Sequence, residues 1–373
     1  MLSPKQQAFD LINKSQNILI ILPRDYTPDA LGSGLALTML ARDLGKKADL
    51  VVQQPVAEKL SFLPGLELIK SEIAPLRDFI ISIDTSQKKI KQLRYENKNS
   101  VLKIFLAGPD SLEQKDILLE PGPFNYESLI TIGAPDLETI GQFYEKHTDL
   151  FFEKPILNID HKSGNDYFGE INLVEPTSSS CAEIITDFLN SFFPNQITAP
   201  LATCLLSGII EETRSFQKIN TTPQTFNLAS LLITHGAEKE TIIQFLYKTK
   251  PLRYLKLWGA LLKNLELNNE KGLAWIIVEL SEFEQLQPSP EDLSSISEEI
   301  NEMLPQLNAS ILLWQDQEGS SQALIQSSKP EMLQKLNLDA GGSQKNHRLF
   351  LKFVQQDLQT IKSSLDSLIN PLL

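Results

Sequence analysis

The segment at residues 23–37, PRDYTPDALGSGLAL, combines a carboxylate with a glycine-rich run at the start of a helix. It follows the apolar run NILIIL at residues 17–22, which is typical of a buried strand. Asp29 falls at the predicted helix start, and the run Gly32–Gly34 permits close approach of the backbone. Free N–H groups at a helix N-terminus bind anions, so the segment is compatible with a phosphate site. The alternative is that Asp29 only caps the helix and the glycines serve packing.

Two further segments place ionisable side chains where predicted elements end. A strand ends on Asp160 and His161, followed by Lys162, and a helix ends near Glu212 and Arg214. In an open α/β sheet, ligands bind at the carboxyl ends of the strands. We therefore expect these side chains to gather with Asp29 at one edge of a sheet.

The elements that must position these residues alternate between strand and helix patterns. Such alternation predicts an α/β fold with a doubly wound, mainly parallel sheet. The predicted strands are 17–22, 48–52, 78–83, 128–132 and 155–159. The predicted helices are 29–44, ending at Gly45, and 179–190, 202–210 and 223–235.

The pattern changes twice along the chain. Residues 101–121 predict an inserted hairpin, at about 100–120, between two sheet strands. After a helical linker at 241–265, residues 266–373 predict a second, smaller α+β domain, with strands at 273–280, 310–316 and 323–328 and helices at 291–304 and 347–369. The first domain is expected to span residues 1–240.

Composition limits the partners. The net charge is −13 and the chain has no basic tract, which argues against binding of duplex nucleic acid. No apolar run reaches the length of a membrane span, and the N-terminus has no secretory signal, so we expect a cytoplasmic protein with no membrane partner. Cys181 and Cys204 lie among apolar residues and are expected to be buried thiols.

The dispersed motifs resemble those of the DHH phosphoesterases, in the branch of oligoribonucleases, nucleotide phosphatases and RecJ-like exonucleases. The matching strings run in the family's order and cover nearly the whole chain: DALGSGLAL (29–37), NIDHK (158–162), FGEINLVEPTSSS (168–180), GIIEETRSF (208–216) and AGGSQKN (340–346). The resemblance implies the predicted fold, a C-terminal domain associated with the family, and two manganese or magnesium ions that activate a water.

Several metal-ligand positions of the family have lost their ligands. In the first motif, Pro23 occupies the position of the family's histidine and Thr27 that of its first aspartate. Asp29 keeps the second aspartate. For the aspartate that bridges both metals, two positions compete. Asp84 ends a strand-like run, but Gly133 has the spacing that the family uses, and we favour Gly133.

The other motifs of the first domain are altered as well. His161, beside Asp160, keeps the imidazole that binds metal in the family. Lys162 occupies the position of the second histidine, which contacts the substrate phosphate in the family. Glu212 replaces an aspartate, and Arg214 replaces a small residue. We expect the two cations to occupy part of the metals' space, in a buried ion-pair network with the carboxylates.

The C-terminal motif has lost its phosphate-contacting histidine. The resemblance places phosphate binding at Gly341 and Gly342, and Gln344 stands where the histidine would be. With Ser33 of the first motif, Lys162 and Arg214, these residues form the candidate phosphate-binding set. Residual metal ligands would be Asp29, His161, Glu212 and, if it forms the bridge, Asp84.

The resemblance and the losses together predict a DHH phosphoesterase-like protein that is catalytically inactive and binds a nucleotide or another anion, without a cofactor. The alternative is an active phosphoesterase with a single Mn²⁺ or Mg²⁺, acting on short oligonucleotides, 3′-phosphorylated nucleotides or cyclic dinucleotides. In that case Asp160 and His161 would be the residual catalytic residues. A small nucleotide or short oligonucleotide is the expected partner, and formation of a homodimer is a further expectation.

Overall fold

The structure is a computed structural model in which the chain forms two compact units, residues 1–249 and 250–373. It describes residues 2–73, 76–86, 89–108, 113–248, 252–286, 288–315, 320–345, 347–354 and 356–372, and for 282, 291 and 345 it describes the backbone alone.

The first unit contains a six-stranded parallel sheet, a β-ribbon and eight α-helices among its described residues. Its strands are β1 (Asn17–Ile21), β2 (Lys47–Val51), β3 (Ile69–Lys70), β4 (Arg77–Ile83), β5 (Gln92–Lys98), β6 (Val101–Ala107), β7 (Ile117–Phe124), β8 (Ser128–Ile132), β9 (Ile156–Asp160) and β10 (Ile171–Val174). Its helices are α1 (Pro4–Lys14), α2 (Pro28–Asp43), α3 (Gln142–Lys146), α4 (Thr148–Glu153), α5 (Cys181–Phe192), α6 (Ala199–Glu212), α7 (Pro223–Thr234) and α8 (Lys239–Ile243), which continues into a π-helical turn over Gln244–Lys248.

The parallel sheet has the strand order β10-β9-β8-β1-β2-β3. Successive residues of β1 point to opposite faces, so that Ile18 and Ile20 enter one buried cluster with α2, α5 and α6, whereas Leu19 and Ile21 enter another with α3 and α4. Helices on both faces make the sheet doubly wound, as predicted. The strand order reverses between β1 and β8, and a crevice at the carboxyl ends of such a pair is the usual ligand site.

The insertion is larger than the sequence predicts. β4 pairs with β7 and β5 pairs with β6, both antiparallel, and none of the four belongs to the parallel sheet. The prediction that residues 78–83 form a sheet strand is therefore wrong, and the inserted ribbon runs from Arg77 to Phe124 instead of about 100–120. An apolar run does not distinguish a buried sheet strand from a ribbon strand, and three residues of β4, Phe79, Ile80 and Ile81, are exposed.

The second unit is a mixed six-stranded sheet with five α-helices among the described residues. Its strands are β11 (Leu265–Asn268), β12 (Leu273–Val278), β13 (Ala309–Gln315), β14 (Ser321–Ser327), β15 (Ser343–Lys345) and β16 (Arg348–Phe353). Its helices are α9 (Leu252–Lys263), α10 (Leu280–Leu286), α11 (Pro290–Met303), α12 (Pro330–Ala340) and α13 (Leu358–Ile369).

The strands of this sheet follow the order β11-β12-β13-β14-β16-β15, with β12 and β13 parallel and the other pairs antiparallel. One predicted helix, 347–369, is wrong in its first half, where β16 forms. The alternation in RLFLKF buries Leu349 and Leu351 on one face, and the pairing with β14 satisfies the backbone. The α/β fold class with a smaller second α+β domain is confirmed. Among the described residues no helix is long and apolar enough to cross a membrane.

Candidate functional site

Asp29 joins two helices at the carboxyl edge of the parallel sheet. Thr27 caps α2 by accepting a hydrogen bond from the backbone N–H of Ala30, and Asp29 lies in the first turn with its side chain fully buried. Its two carboxylate oxygens accept hydrogen bonds from the N–H groups of Cys181 (2.8 Å) and Ala182 (2.9 Å). Asp29 therefore satisfies two free donors at the N-terminus of α5 instead of capping its own helix.

Two glycines allow α6 to pack closely against α2 and α5. A Cβ on Gly208 would lie 2.7 Å from Asp29 Oδ1 and 2.8 Å from the Cβ of Ala182. On α2, a Cβ on Gly32 would lie 2.4 Å from the carbonyl oxygen of Cys204. Both contacts are closer than a side chain permits, so the missing side chains allow the helix packing that encloses Asp29.

Asp160 is the last residue of β9, and its carboxylate organises the loop that follows. Oδ1 accepts from the N–H of His161 (2.8 Å) and is 3.3 Å from the N–H of Lys162. Oδ2 accepts from Asn165 Nδ2 (2.9 Å), which also lies 3.0 Å from the carbonyl oxygen of Ala134, after β8. With all of its side chain buried, Asp160 fixes the directions of the two residues that follow it.

His161 faces both Asp29 and the thiol of Cys181. Its Nδ1 lies 3.5 Å from Cys181 Sγ, 3.9 Å from Asp29 Oδ2 and 3.8 Å from Asp160 Oδ1. The imidazole is 13% exposed, whereas Asp29 and Cys181 are fully buried. Imidazole, carboxylate and thiol atoms within 4.8 Å of one another form a mixed cluster that could bind a metal ion.

Lys162 lies beside Gly133, at the carboxyl edge of the parallel sheet. Its Nζ is 3.4 Å from the carbonyl oxygen of Gly133, the residue after β8, and the residue is exposed. Among the described residues, the Lys162 ammonium forms no ion pair within 4.0 Å. The arrangement differs from the expected buried network, because this cation stands at the mouth of the site, where an anion can reach it.

Burial dominates the electrostatics of the cluster. It raises the pKa of Asp29; the charge of His161 and the two N–H donors oppose the shift, and the charge of Glu212 adds to it. The pKa of the Cys181 thiol is raised well above its usual range by burial first, then by Asp29 and Asp160, with Lys162 opposing. With no ion bound, the cluster thus favours the neutral thiol.

The end of α6 carries the remaining acidic candidate. Glu212 pairs with Lys218 at 3.1 Å, and its side chain is 21% exposed. Arg214, Ser215 and Phe216 follow with φ of 48°, 56° and 67°, a left-handed turn without glycine. Each such residue costs roughly 1–2 kcal/mol, and strain of this kind clusters at functional sites.

The other candidates of the first unit lie at different kinds of position. Asp84 follows β4 on the ribbon and hence outside the parallel sheet, whereas Gly133 follows β8 within it. Ser33 is fully buried in α2, and its hydroxyl has no hydrogen-bond partner among the described residues. Pro23 offers no ligand atom, and the Thr27 hydroxyl is engaged as the cap of α2.

The candidates of the second unit surround the start of β15. Gly341, with φ of 65°, ends α12, and its N–H donates to the carbonyl oxygen of Asn337. A Cβ on Gly342 would lie 2.4 Å from the carbonyl oxygen of Phe350, so this glycine permits β15 to approach β16. Gln344 pairs with Leu349 in the same ladder.

These residues do not fit a pair of hard divalent ions. Mn²⁺ and Mg²⁺ prefer several oxygen ligands. Pro23 and Gly133 supply no side-chain ligand, and Thr27 is engaged as a helix cap, which leaves Asp29 as the carboxylate of the His161 and Cys181 cluster. The surviving set supports one ion at most.

Sequence reasoning missed two residues of the site. Cys181 was expected to be a buried thiol, which the structure confirms, but only the sheet topology brings it beside His161. Asn165, five residues after Asp160 in a polar loop, gave no signal of its own. Its role depends on the neighbouring strand, through Ala134.

Fold and site together define an α/β protein with a cluster of imidazole, carboxylate and thiol groups at the carboxyl edge of its parallel sheet. No protein-family model matches the chain. It is 32% identical over 113 residues to the bifunctional oligoribonuclease and PAP phosphatase NrnA of Thermus thermophilus, covering 30% of this chain and 33% of that protein. It is 26% identical over 143 residues to the Bacillus subtilis protein of the same name, covering 38% and 45%. The matches thus span less than half the length of these relatives.

A crystal structure of an exopolyphosphatase-related protein from Bacteroides fragilis has the same fold. The TM-score is 0.71 at 16% identity, covering 99% of this chain and 97% of that one. The chain thus shares the fold of this protein, and part of its sequence is similar to the oligoribonuclease and PAP phosphatase relatives.

Proposed function

We propose that the protein binds a small phosphate-containing ligand, a nucleotide or a short oligonucleotide, without two-metal hydrolysis. The observation that carries this proposal is the placement of Lys162, whose ammonium lies beside Gly133 at the switch point of the sheet. An exposed cation at this edge attracts a phosphate, and the neighbouring loop is fixed by Asp160.

The residues at the ligand positions support the proposed absence of hydrolysis. Water activation by two metals needs both ions held in place, with a bridging ligand between them. Glycine stands at the proposed bridging position, 133, and no carboxylate replaces it there. The named activities of the relatives in Thermus thermophilus and Bacillus subtilis suggest the ligand class: short oligoribonucleotides and a 3′-phosphorylated nucleotide.

The second candidate is a single-metal phosphoesterase. The cluster around Asp29 and His161 favours it, because imidazole and carboxylate remain within 3.9 Å of each other. In that case a single Mn²⁺ or Mg²⁺ would polarise the phosphate, and His161 or Glu212 would have to serve as the general base.

Binding and turnover separate the two candidates. Calorimetry with a nucleoside 3′-phosphate and with a dinucleotide, on protein treated with chelator, should show binding. Lys162→Met should weaken it more than about tenfold, since charge-assisted hydrogen bonds are the strong ones. Lys146→Met, an exposed lysine on α3, is the matched control and should bind normally.

Equal binding by Lys162→Met and the wild type would overturn the proposed phosphate contact. Manganese-dependent turnover of the dinucleotide that is abolished by His161→Ala would replace the main proposal with the single-metal enzyme.

We also propose a cytoplasmic homodimer. In the β5–β6 hairpin, Leu93 and Tyr95 lie on one face with Leu102 and Ile104, each between 43% and 75% exposed. Residues 77–124 contain eight Lys and Arg against seven Asp and Glu, so two ribbons can meet without the repulsion expected from a chain of charge −13. A two-stranded hairpin is marginal in water, and a second copy would cover this face in a symmetric contact.

Sedimentation across the micromolar range tests the dimer. The wild type should dimerise, and the double variant Leu93→Lys with Tyr95→Lys should be monomeric with an unchanged far-ultraviolet circular dichroism spectrum. A monomeric wild type throughout this range would refute the homodimer.

A further inference from the structure

The thiol of Cys181 lies next to Gly133, the residue that follows β8. A Cβ placed on Gly133 would lie 3.8 Å from Cys181 Sγ, so the sulfur is a direct neighbour of the point from which a side chain there would project. Cys181 begins α5, and its N–H is held by Asp29. The sulfur is thus fixed in place by the helix that Asp29 caps.

The distances in this cluster suit a tetrahedral ion. In such a site, zinc–sulfur and zinc–nitrogen bonds of about 2.3 and 2.0–2.1 Å place the two ligand atoms about 3.5 Å apart. His161 Nδ1 and Cys181 Sγ are 3.5 Å apart. The carboxylate is slightly further away, with 3.9 Å between His161 Nδ1 and Asp29 Oδ2, so a bound ion would draw these two groups closer together.

The ligand types differ from those that a hard ion prefers. Sulfur and imidazole nitrogen bind zinc well, whereas manganese and magnesium prefer oxygen. Three protein ligands with a fourth position open is the usual arrangement of a reactive zinc site. His161 is partly exposed and Lys162 beside it is exposed, so a fourth ligand would approach from this side.

We propose that Asp29, His161 and Cys181 bind a single zinc ion, with Cys181 as the ligand that replaces the lost carboxylate. The inference deepens the proposed function and rests on it only for the phosphate or water that takes the fourth position. The ligand set is charge-balanced, because the thiolate and the carboxylate together neutralise the dication.

Cobalt as a spectroscopic substitute for zinc provides the test. The full-length wild type should bind one Co²⁺ with a sulfur-to-cobalt charge-transfer band, and Zn²⁺ should displace it. Cys181→Ser should lose the band and more than about a hundredfold in zinc affinity, since even outer-shell partners of a metal contribute about 10–100-fold. Cys204→Ser, which changes the other buried cysteine, should keep both.

Two results would overturn the zinc site: a wild type that binds no Co²⁺ or Zn²⁺, or a Cys181→Ser variant that binds zinc as the wild type does. If the Cys181→Ser variant does not fold, the wild type alone still tests the site. Zinc that binds the folded protein must raise its melting temperature, and no rise would count against the site. Phosphate-ligand binding by chelated protein that binds no zinc would end this inference alone. Zinc binding without phosphate-ligand binding would end the proposed function and leave the metal site standing.

Discussion

Asp29 Oδ1 lies only 2.7 Å from the point that a Cβ on Gly208 would occupy, which is too close for any side chain at that position. Helix α6 can therefore pass over the carboxylate only with glycine at 208. The same carboxylate holds the first two N–H groups of α5, so α2, α5 and α6 meet at one buried charge.

Replacing Gly208 with alanine should destabilise the first unit by about 1–3 kcal/mol, the usual cost of forcing an extra carbon into a packed interior. Denaturant unfolding measures the change. Gly259→Ala is the matched control, because this helical glycine has nothing within 4 Å of its Cβ position, and alanine there should stabilise α9 by up to about 1 kcal/mol. Equal stability of Gly208→Ala and wild type would contradict the packing described.

Asp29→Ala should destabilise the protein because two buried N–H groups of α5 lose their acceptor, at about 1–3 kcal/mol for each. Thermal unfolding monitored by circular dichroism measures the loss. Asp43→Ala removes an exposed carboxylate at the other end of α2 and should be neutral or slightly stabilising, since the helix dipole disfavours negative charge there.

Asp49 makes stability depend on acid pH. Burial raises the pKa of Asp49, but the hydrogen bonds from Lys70 and Tyr126 outweigh burial, and the net pKa is lowered. A folded pKa below the unfolded value of about 3.9 gives stability that is present above that pH and is lost as the pH falls through the folded pKa. Asp49→Asn should cost about 1.5–3 kcal/mol at neutral pH.

The difference in stability between Asp49→Asn and the wild type should shrink below about pH 4. As the pH falls from there through the folded pKa, the Asp49 carboxylate of the wild type becomes protonated and loses its charge. Urea unfolding at a series of pH values measures it. A difference that stays constant down to strongly acidic pH would show that the charge of Asp49 is not responsible.

Asn165→Ala should loosen the loop after β9, because Asp160 and the carbonyl of Ala134 both lose a hydrogen bond. We expect about 1–3 kcal/mol lower stability and weaker phosphate-ligand binding, since Lys162 belongs to this loop. Asn165 and Asn172 both accept a hydrogen bond from the side-chain amide of Asn158, so Asn172→Ala tests whether any loss in this polar network has the same effect. Unchanged ligand affinity in Asn165→Ala would show that the order of this loop does not matter for phosphate-ligand binding.

Periodicity and turn signals predicted four of the six strands of the parallel sheet, because buried strands and glycine-ended helices are local patterns, but they missed the short strands β3 and β10. Gly45, with φ of 75°, ends α2 as expected. The same local patterns could not separate β4 from a sheet strand, nor β16 from a helix, because strand partners lie far away in the sequence. Phe79 illustrates the limit: it is apolar in the sequence and 66% exposed in the structure.

The motifs predicted where the site lies but not how its charges pair. Lys162 was expected inside an ion-pair network and is exposed beside Gly133. Glu212 pairs with Lys218, six residues further on, across the left-handed turn. Such pairings depend on side-chain direction, which the spacing of residues in the sequence does not specify.

The ribbon has one further consequence, which concerns the modular construction of the chain. Arg77 and Phe124 are partners in the β4–β7 ladder, so the two ends of the ribbon lie side by side. The ribbon therefore begins and ends at almost the same point, although the chain comes to it from β3 at the edge of the sheet and goes on to β8 in the middle. A short turn joining these ends could replace the whole excursion, and β8 would still reach its place beside β1. Lineages could thus gain or lose the ribbon as a cassette while the sheet beneath it is retained.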